Sequence, residues 1–135
     1  AVYKVIDSQG KKKTVEYVGT LDKGTKIKIE NTIKIKGVIY SVVSIGKNAF
    51  KGNKKIKKVT IGKNVTKIDQ NAFYGCKSLK EIVIQTKQLK KNSIGKNAFK
   101  GIYKKATIKV PKKKLGDYKT LLKGKGQPSK VKIKK

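Results

Sequence analysis

Ile45-Gly46-Lys47-Asn48-Ala49-Phe50-Lys51-Gly52 recurs as Ile68-Asp69-Gln70-Asn71-Ala72-Phe73-Tyr74-Gly75 and again as Ile94-Gly95-Lys96-Asn97-Ala98-Phe99-Lys100-Gly101. The leading isoleucines are 23 and 26 residues apart. Self-similarity at that period marks a solenoid, whose units are each too small to close a core and bury their apolar side only against neighbours. A short strand follows each phrase: residues 57–61, 80–84 and 105–110. Aligned with one another, these strands predict an inward column of Val59, Ile82 and Ala106 and a second of Ile61, Ile84 and Ile108. Phe50, Phe73 and Phe99 form a third column, and Ala49, Ala72 and Ala98 a fourth, where small side chains let coils approach. Each phenylalanine contributes on the order of 2–3 kcal/mol through removal of its surface from water. Asn48, Asn71 and Asn97 are expected to cap a short helical turn through the side-chain oxygen. Gly52, Gly75 and Gly101 suit the left-handed residue that ends such a turn.

The flanks read as caps, which a stack needs because its open ends expose core and unpaired backbone. Val2–Ile6 and Thr14–Val18 are separated by the turn residues Ser8-Gln9-Gly10 and predict a hairpin. Lys26–Glu30, Thr32–Lys36 and Val131–Lys134 alternate lysine or another polar residue with an apolar one, which places the isoleucines on one face of a strand. Gly37 predicts a second hairpin between Thr32–Lys36 and Val38–Val43, so this stretch reads as a degenerate first repeat carrying an insertion. Residues 85–93 hold another insertion. Pro111 opens a segment in which Leu115, Tyr118, Leu121 and Leu122 share one helical face, and Gly124 and Gly126 close it. The whole chain, 1–135, is therefore one domain: an N-terminal hairpin cap over 1–25, repeats over 26–110 and a C-terminal cap over 111–135.

Hydrophobic residues make up 36% and charged residues 33%, a balance that suggests disorder until the in-register repeats are counted. The net charge is +30, and all 37 basic residues are lysine. Arginine is the preferred reader of guanine edges and phosphates because its fork bonds two acceptors at once, so its absence argues against sequence-specific nucleic-acid recognition. The lysine excess has two readings: attraction to polyanions, or solubility and the codon usage of an AT-rich genome. No stretch reaches the roughly 20 apolar residues of a membrane span. Position 1 is not methionine, which is expected of a processed or excised chain.

These residues resemble the BspA-like, or Treponema pallidum-type, leucine-rich repeats of bacterial surface proteins. Ile68, Ala72, Phe73, Cys76, Leu79, Ile82 and Ile84 match the repeat closely, and Ile45, Ala49, Phe50, Ile56, Val59, Ile61 and Val65 match it with Asn53 in the cysteine slot. The third copy keeps Ile94, Ala98, Phe99 and Ile108, with Ile102 in that slot. Gly62 and Gln85 stand where the repeat usually has proline. The resemblance implies an α/β repeat fold, a short leucine-rich-repeat solenoid with one parallel strand per coil lining a concave sheet. It also implies export to a bacterial cell surface or cell wall, and a host or bacterial surface protein or glycan as partner.

On that arrangement the residues facing away from the core are Lys26, Lys28, Glu30, Lys58, Thr60, Glu81, Val83, Gln85, Thr107 and Lys109. They are the expected concave-face binding residues. Catalysis has little material: the chain has no histidine, seven scattered acids and one cysteine, Cys76, in an inward column. Metal ligands are equally few, and no cofactor is expected. The leading reading is a non-enzymatic, adhesion-type module that binds macromolecules. The alternative is a wall-associated spacer held by anionic cell-wall polymers, and a non-specific nucleic-acid or polyanion binder ranks third.

Overall fold

The computed structural model describes residues 1–135. The chain opens with an antiparallel hairpin of β1 (Val2–Asp7) and β2 (Thr14–Gly19). Its turn is closed by Asp7, whose carboxylate accepts the N–H groups of Gln9 and Gly10 at 3.0 and 2.9 Å. β3 (Lys26–Ile29) follows, then a second hairpin of β4 (Thr32–Ile35) and β5 (Val38–Ile45). Lys36 and Gly37 both have positive φ, 49° and 81°, as a two-residue turn matched to strand twist requires. The repeats then supply β6 (Lys58–Ile61), β7 (Lys67–Ile68), β8 (Glu81–Ile84) and β9 (Thr107–Lys109). A 3₁₀ turn at Lys112–Lys114 leads into α1 (Leu115–Leu122), and β10 (Lys132–Lys134) ends the chain.

Five of these strands form one all-parallel sheet in the order β3, β6, β8, β9, β10. A second, mixed sheet joins β1, β2, β5 and β4, with β7 as its fifth strand, parallel to the end of β5. The bridge between Ile68 and Ile94 carries that pairing one coil further. Between the sheets lies one cluster of 29 buried apolar residues. Tyr17, Phe50, Phe73 and Phe99 stack through it with ring centroids 5.2, 5.2 and 5.5 Å apart. The N-terminal hairpin thus caps the stack by adding a ring to its aromatic column, and Gly46 donates its N–H to the Tyr17 carbonyl.

The repeated phrase makes a third ladder. Asn48, Phe50 and Gly52 donate to the carbonyls of Gln70, Ala72 and Tyr74, and Asn71, Phe73 and Gly75 donate to those of Lys96, Ala98 and Lys100. Alternate amides of each turn therefore bond to the next coil. At the C-terminal end Phe99 donates to Lys125, so the closing segment continues the ladder. A Cβ at Gly101 would lie 3.2 Å from the Gly75 backbone, which shows how closely the turns approach.

Two sequence expectations are corrected here. Asn48, Asn71 and Asn97 begin tight turns and not helical ones, and they serve through backbone conformation, with φ of 61°, 59° and 58°. Asparagine tolerates that left-handed region better than other side chains. The inward columns are Val59, Ile82 and Ile108, and Ile61, Ile84 and Val110. Ala106 is buried, but its N–H bonds to the Tyr103 carbonyl within the preceding turn, and the strand starts at Thr107. Counting nine residues from each phenylalanine reaches Val59, Ile82 and Ile108.

The insertion at 85–93 is fastened from two sides. The buried Thr86 hydroxyl donates to Val65 at 2.6 Å. Tyr118 of α1 donates its hydroxyl to the Thr86 carbonyl at 2.7 Å and accepts the Leu89 N–H at 3.2 Å. The C-terminal cap therefore closes the end of the stack and also locks the longest coil.

Candidate functional site

The parallel register places the outward side chains of the five-strand sheet in two rows. One reads Lys26, Lys58, Glu81, Thr107, Lys132. The other reads Lys28, Thr60, Val83, Lys109, Lys134. Eight of the ten expected residues lie in these rows. Glu30 and Gln85 sit just beyond the ends of β3 and β8, where Gln85 extends the ladder by donating to the Ile61 carbonyl at 2.9 Å. The sheet thus gathers all ten onto one face. Its alternation is enforced from below: every second residue is an isoleucine or valine, held in the core in β3, β6, β8 and β9 and packed against it in β10.

Lys132 and Lys134 join the same face from β10, and the expected set did not include them. Their signal was the alternation in Val131–Lys134, which marked a strand but not its partner. Beside them, an open depression of about 640 Å³ is lined by Lys105, Thr107, Ser129, Lys130, Val131 and Lys132. A smaller one of about 310 Å³, at the other end of the strands, includes Lys63, Val83, Gln85, Lys109 and Pro111.

The electrostatics of the face centre on Glu81. Its carboxylate lies 3.1 Å from the Lys58 ammonium and 3.7 Å from that of Lys109. The Lys58 hydrogen bond, aided by the charge of Lys109, holds the Glu81 carboxyl below the usual glutamate range. Glu30 makes a looser pair with Lys28, at 3.7 Å. All three pairs are partly exposed, so each stabilises the fold by only about 0–1 kcal/mol. Their larger effect is on the charge pattern. Lys58 and Lys109 are engaged in the middle of the sheet, while Lys26, Lys132 and Lys134 are exposed at its two ends with no carboxylate within ion-pair distance.

Lysine also lines the turn side of the stack. Lys51 and Lys100 approach the Tyr74 ring at 5.4 and 5.9 Å, and Lys80 approaches Tyr103 at 5.5 Å. These contacts order the lysine stems against half-buried rings. Cys76 is fully buried, donates to the Phe50 carbonyl at 3.1 Å, and burial pushes its thiol up to about 12. At that value it is a small apolar core residue, as its inward column implied. No three side chains of histidine, cysteine, aspartate or glutamate converge. No helix is long and apolar enough to cross a membrane.

The family model described as the BspA type leucine rich repeat region matches residues 24–119 in six copies. The match starts before β3 and ends inside α1, beyond the stretch over which the phrase itself is legible. Among solved structures, the chain is similar to a leucine rich cell surface protein from Faecalibacterium prausnitzii, with 28% identity and a TM-score of 0.57. It is equally similar to a leucine-rich repeat protein from Bacteroides ovatus, again with 28% identity and a TM-score of 0.57. The alignments cover 82% and 81% of this chain, which spans only 35% of the length of each of those chains. Among curated proteins no match is found.

Proposed function

Because the chain belongs to the BspA type leucine rich repeat family, we propose that it is a non-enzymatic module that binds a macromolecule through its five-strand face. The observation that carries this reading is the register. Ten outward side chains from five strands form a rigid surface whose spacing is fixed by backbone pairing and by the core beneath it. The backbone of such a surface is already fixed before binding, which leaves only side-chain ordering to oppose affinity for an extended partner. The Faecalibacterium prausnitzii relative is described as a cell surface protein, which supports placing this module at a bacterial cell surface or wall. A host or bacterial surface protein or glycan is the partner class that such a location offers.

The second reading is a spacer held by anionic wall polymers, and it has its own observation. Lysines line the hairpin tip (Lys11, Lys12, Lys13), the 85–93 insertion and the C-terminal cap as well as the strands. A coat of that kind attracts any polyanion without a dedicated groove. Co-sedimentation with isolated Gram-positive cell walls, before and after removal of their anionic polymers, separates the two. Binding that survives stripping and is lost in a Lys26→Gln, Lys58→Gln, Lys109→Gln variant supports the strand face. Binding that vanishes on stripping and follows total charge alone supports the spacer.

A further inference from the structure

The positive charge on the strand face is lowest at its centre, where Lys58, Glu81 and Lys109 leave one net charge over three strands, and unpaired lysines stand at both ends. At the β3 end Lys26 is unpaired and Lys28 stands beside it, held by Glu30 at 3.7 Å; at the β10 end Lys132 and Lys134 are both unpaired. Between them Glu81 engages Lys58 on one side and Lys109 on the other, and Thr60, Val83 and Thr107 complete the middle. Lys105 and Lys130 reinforce the β10 end around its open depression. Four interstrand steps separate β3 from β10, about 19 Å at ordinary sheet spacing.

From this pattern, and resting on the strand face as the binding surface, we infer that the face takes an extended acidic polypeptide segment. The segment lies across the strands with carboxylates at its two ends and neutral side chains between. Charge complementarity selects this occupant over a uniformly charged polymer. An anionic glycan or teichoic-type chain carries its charge at every repeat and sets part of it over Glu81 and Val83, where it meets a carboxylate and an apolar side chain. A segment with acidic ends places its carboxylates on the unpaired Lys26 at one end and on Lys132 and Lys134 at the other, and a β-branched residue on Val83. About six or seven extended residues span the distance. A second copy of this chain is disfavoured as occupant by its charge of +30.

Two labelled heptapeptides of one composition test this by fluorescence anisotropy at roughly physiological salt, where charges more than about 8 Å apart are screened. The first is Asp-Glu-Thr-Val-Thr-Glu-Asp and the second, with its acids together in the centre, is Thr-Asp-Glu-Glu-Asp-Val-Thr. The end-charged peptide is expected to bind about tenfold more tightly. Lys26→Gln with Lys28→Gln, and Lys132→Gln with Lys134→Gln, should each remove most of that preference. Lys12→Gln with Lys91→Gln removes the same charge elsewhere and should leave it intact. Glu81→Gln frees Lys58 and Lys109, so it should tighten the centre-charged peptide and narrow the gap, a change no purely structural role for Glu81 would produce. Equal affinity of the two peptides, or equal loss from all three double variants, overturns the inference. If the peptides are equal while cell walls still bind through Lys26, Lys58 and Lys109, the inference fails and the strand-face reading stands. If neither depends on those lysines, both fail.

Discussion

Replacing Phe73 by alanine removes the middle member of the aromatic column. The ring is fully buried and stacks on Phe50 at 5.2 Å and on Phe99 at 5.5 Å, with interplanar angles of 5° and 6°. Deleting a buried phenylalanine side chain costs about 3–5 kcal/mol, and the two stacked contacts place this site in the upper part of that range, near 4 kcal/mol. Stacked repeats are coupled mainly to their neighbours, so the loss falls on both interfaces of the central coil. For 135 residues, an unfolding entropy of about 2 cal/mol/K per residue converts 4 kcal/mol into a fall of about 14 °C in Tm. Phe99→Ala is the internal control, because Phe99 is equally buried but stacks on one ring only. It should cost about 1 kcal/mol less than Phe73→Ala. Urea unfolding followed by far-ultraviolet circular dichroism suits a chain that has no tryptophan. A loss below about 1.5 kcal/mol for Phe73→Ala, or a greater loss for Phe99→Ala, would refute the column as the main brace between coils.

Three further outcomes are expected. Tyr118→Phe leaves the Leu89 N–H and the Thr86 carbonyl without their buried partner, so it should cost about 1–3 kcal/mol; amide exchange should show lost protection at Leu89 while the β6–β8 amides stay protected. A Cβ at Gly95 would lie 2.3 Å from the Gln70 nitrogen whereas one at Gly116, inside α1, meets nothing within 4 Å. Gly95→Ala should therefore destabilise by several kcal/mol, about 3 or more, and Gly116→Ala should stabilise by about 0.5–1 kcal/mol, both read by thermal melts. The Glu81 carboxyl is held below its ordinary value by Lys58 and Lys109, so its contribution is complete above the unfolded value near 4.5 and is lost as pH falls through the folded one. The Tm difference between the native chain and Glu81→Gln should be constant from pH 7 to about 5 and shrink toward zero on further acidification; a difference that persists at pH 2 would show that charge is not its source.

Much of this protein is written in its sequence, because a repeat declares itself by recurrence. The Phe50, Phe73 and Phe99 column, the two hairpins, the helical face of Leu115, Tyr118 and Leu122 and the buried Cys76 all follow from local patterns that stacking only reinforces. The outward set from Lys26 to Lys109 was legible for the same reason, since period two separates faces without reference to any partner strand.

Aligning the strands on their apolar residues misplaces the register of β9, although the nine-residue spacing from each phenylalanine carries it, and register is what makes the site. Ala106 and Ile108 are both buried, so composition alone does not say which lies beside Ile82; a turn hydrogen bond from Ala106 to Tyr103 decides it. The same shift puts Lys109 beside Val83 and within reach of Glu81. Asn48 and its equivalents carry the residue type of a cap and are used for a left-handed backbone, a choice made by the ladder of amides to the next coil. Lys132 and Lys134 enter the face only because the chain returns after α1 to pair with β9. What the sequence determined by itself is periodicity, which is local. The charge pattern along the sheet needed the tertiary structure, because it depends on four successive pairings between residues 23 to 32 positions apart, which together set Lys26 and Lys132 in one row.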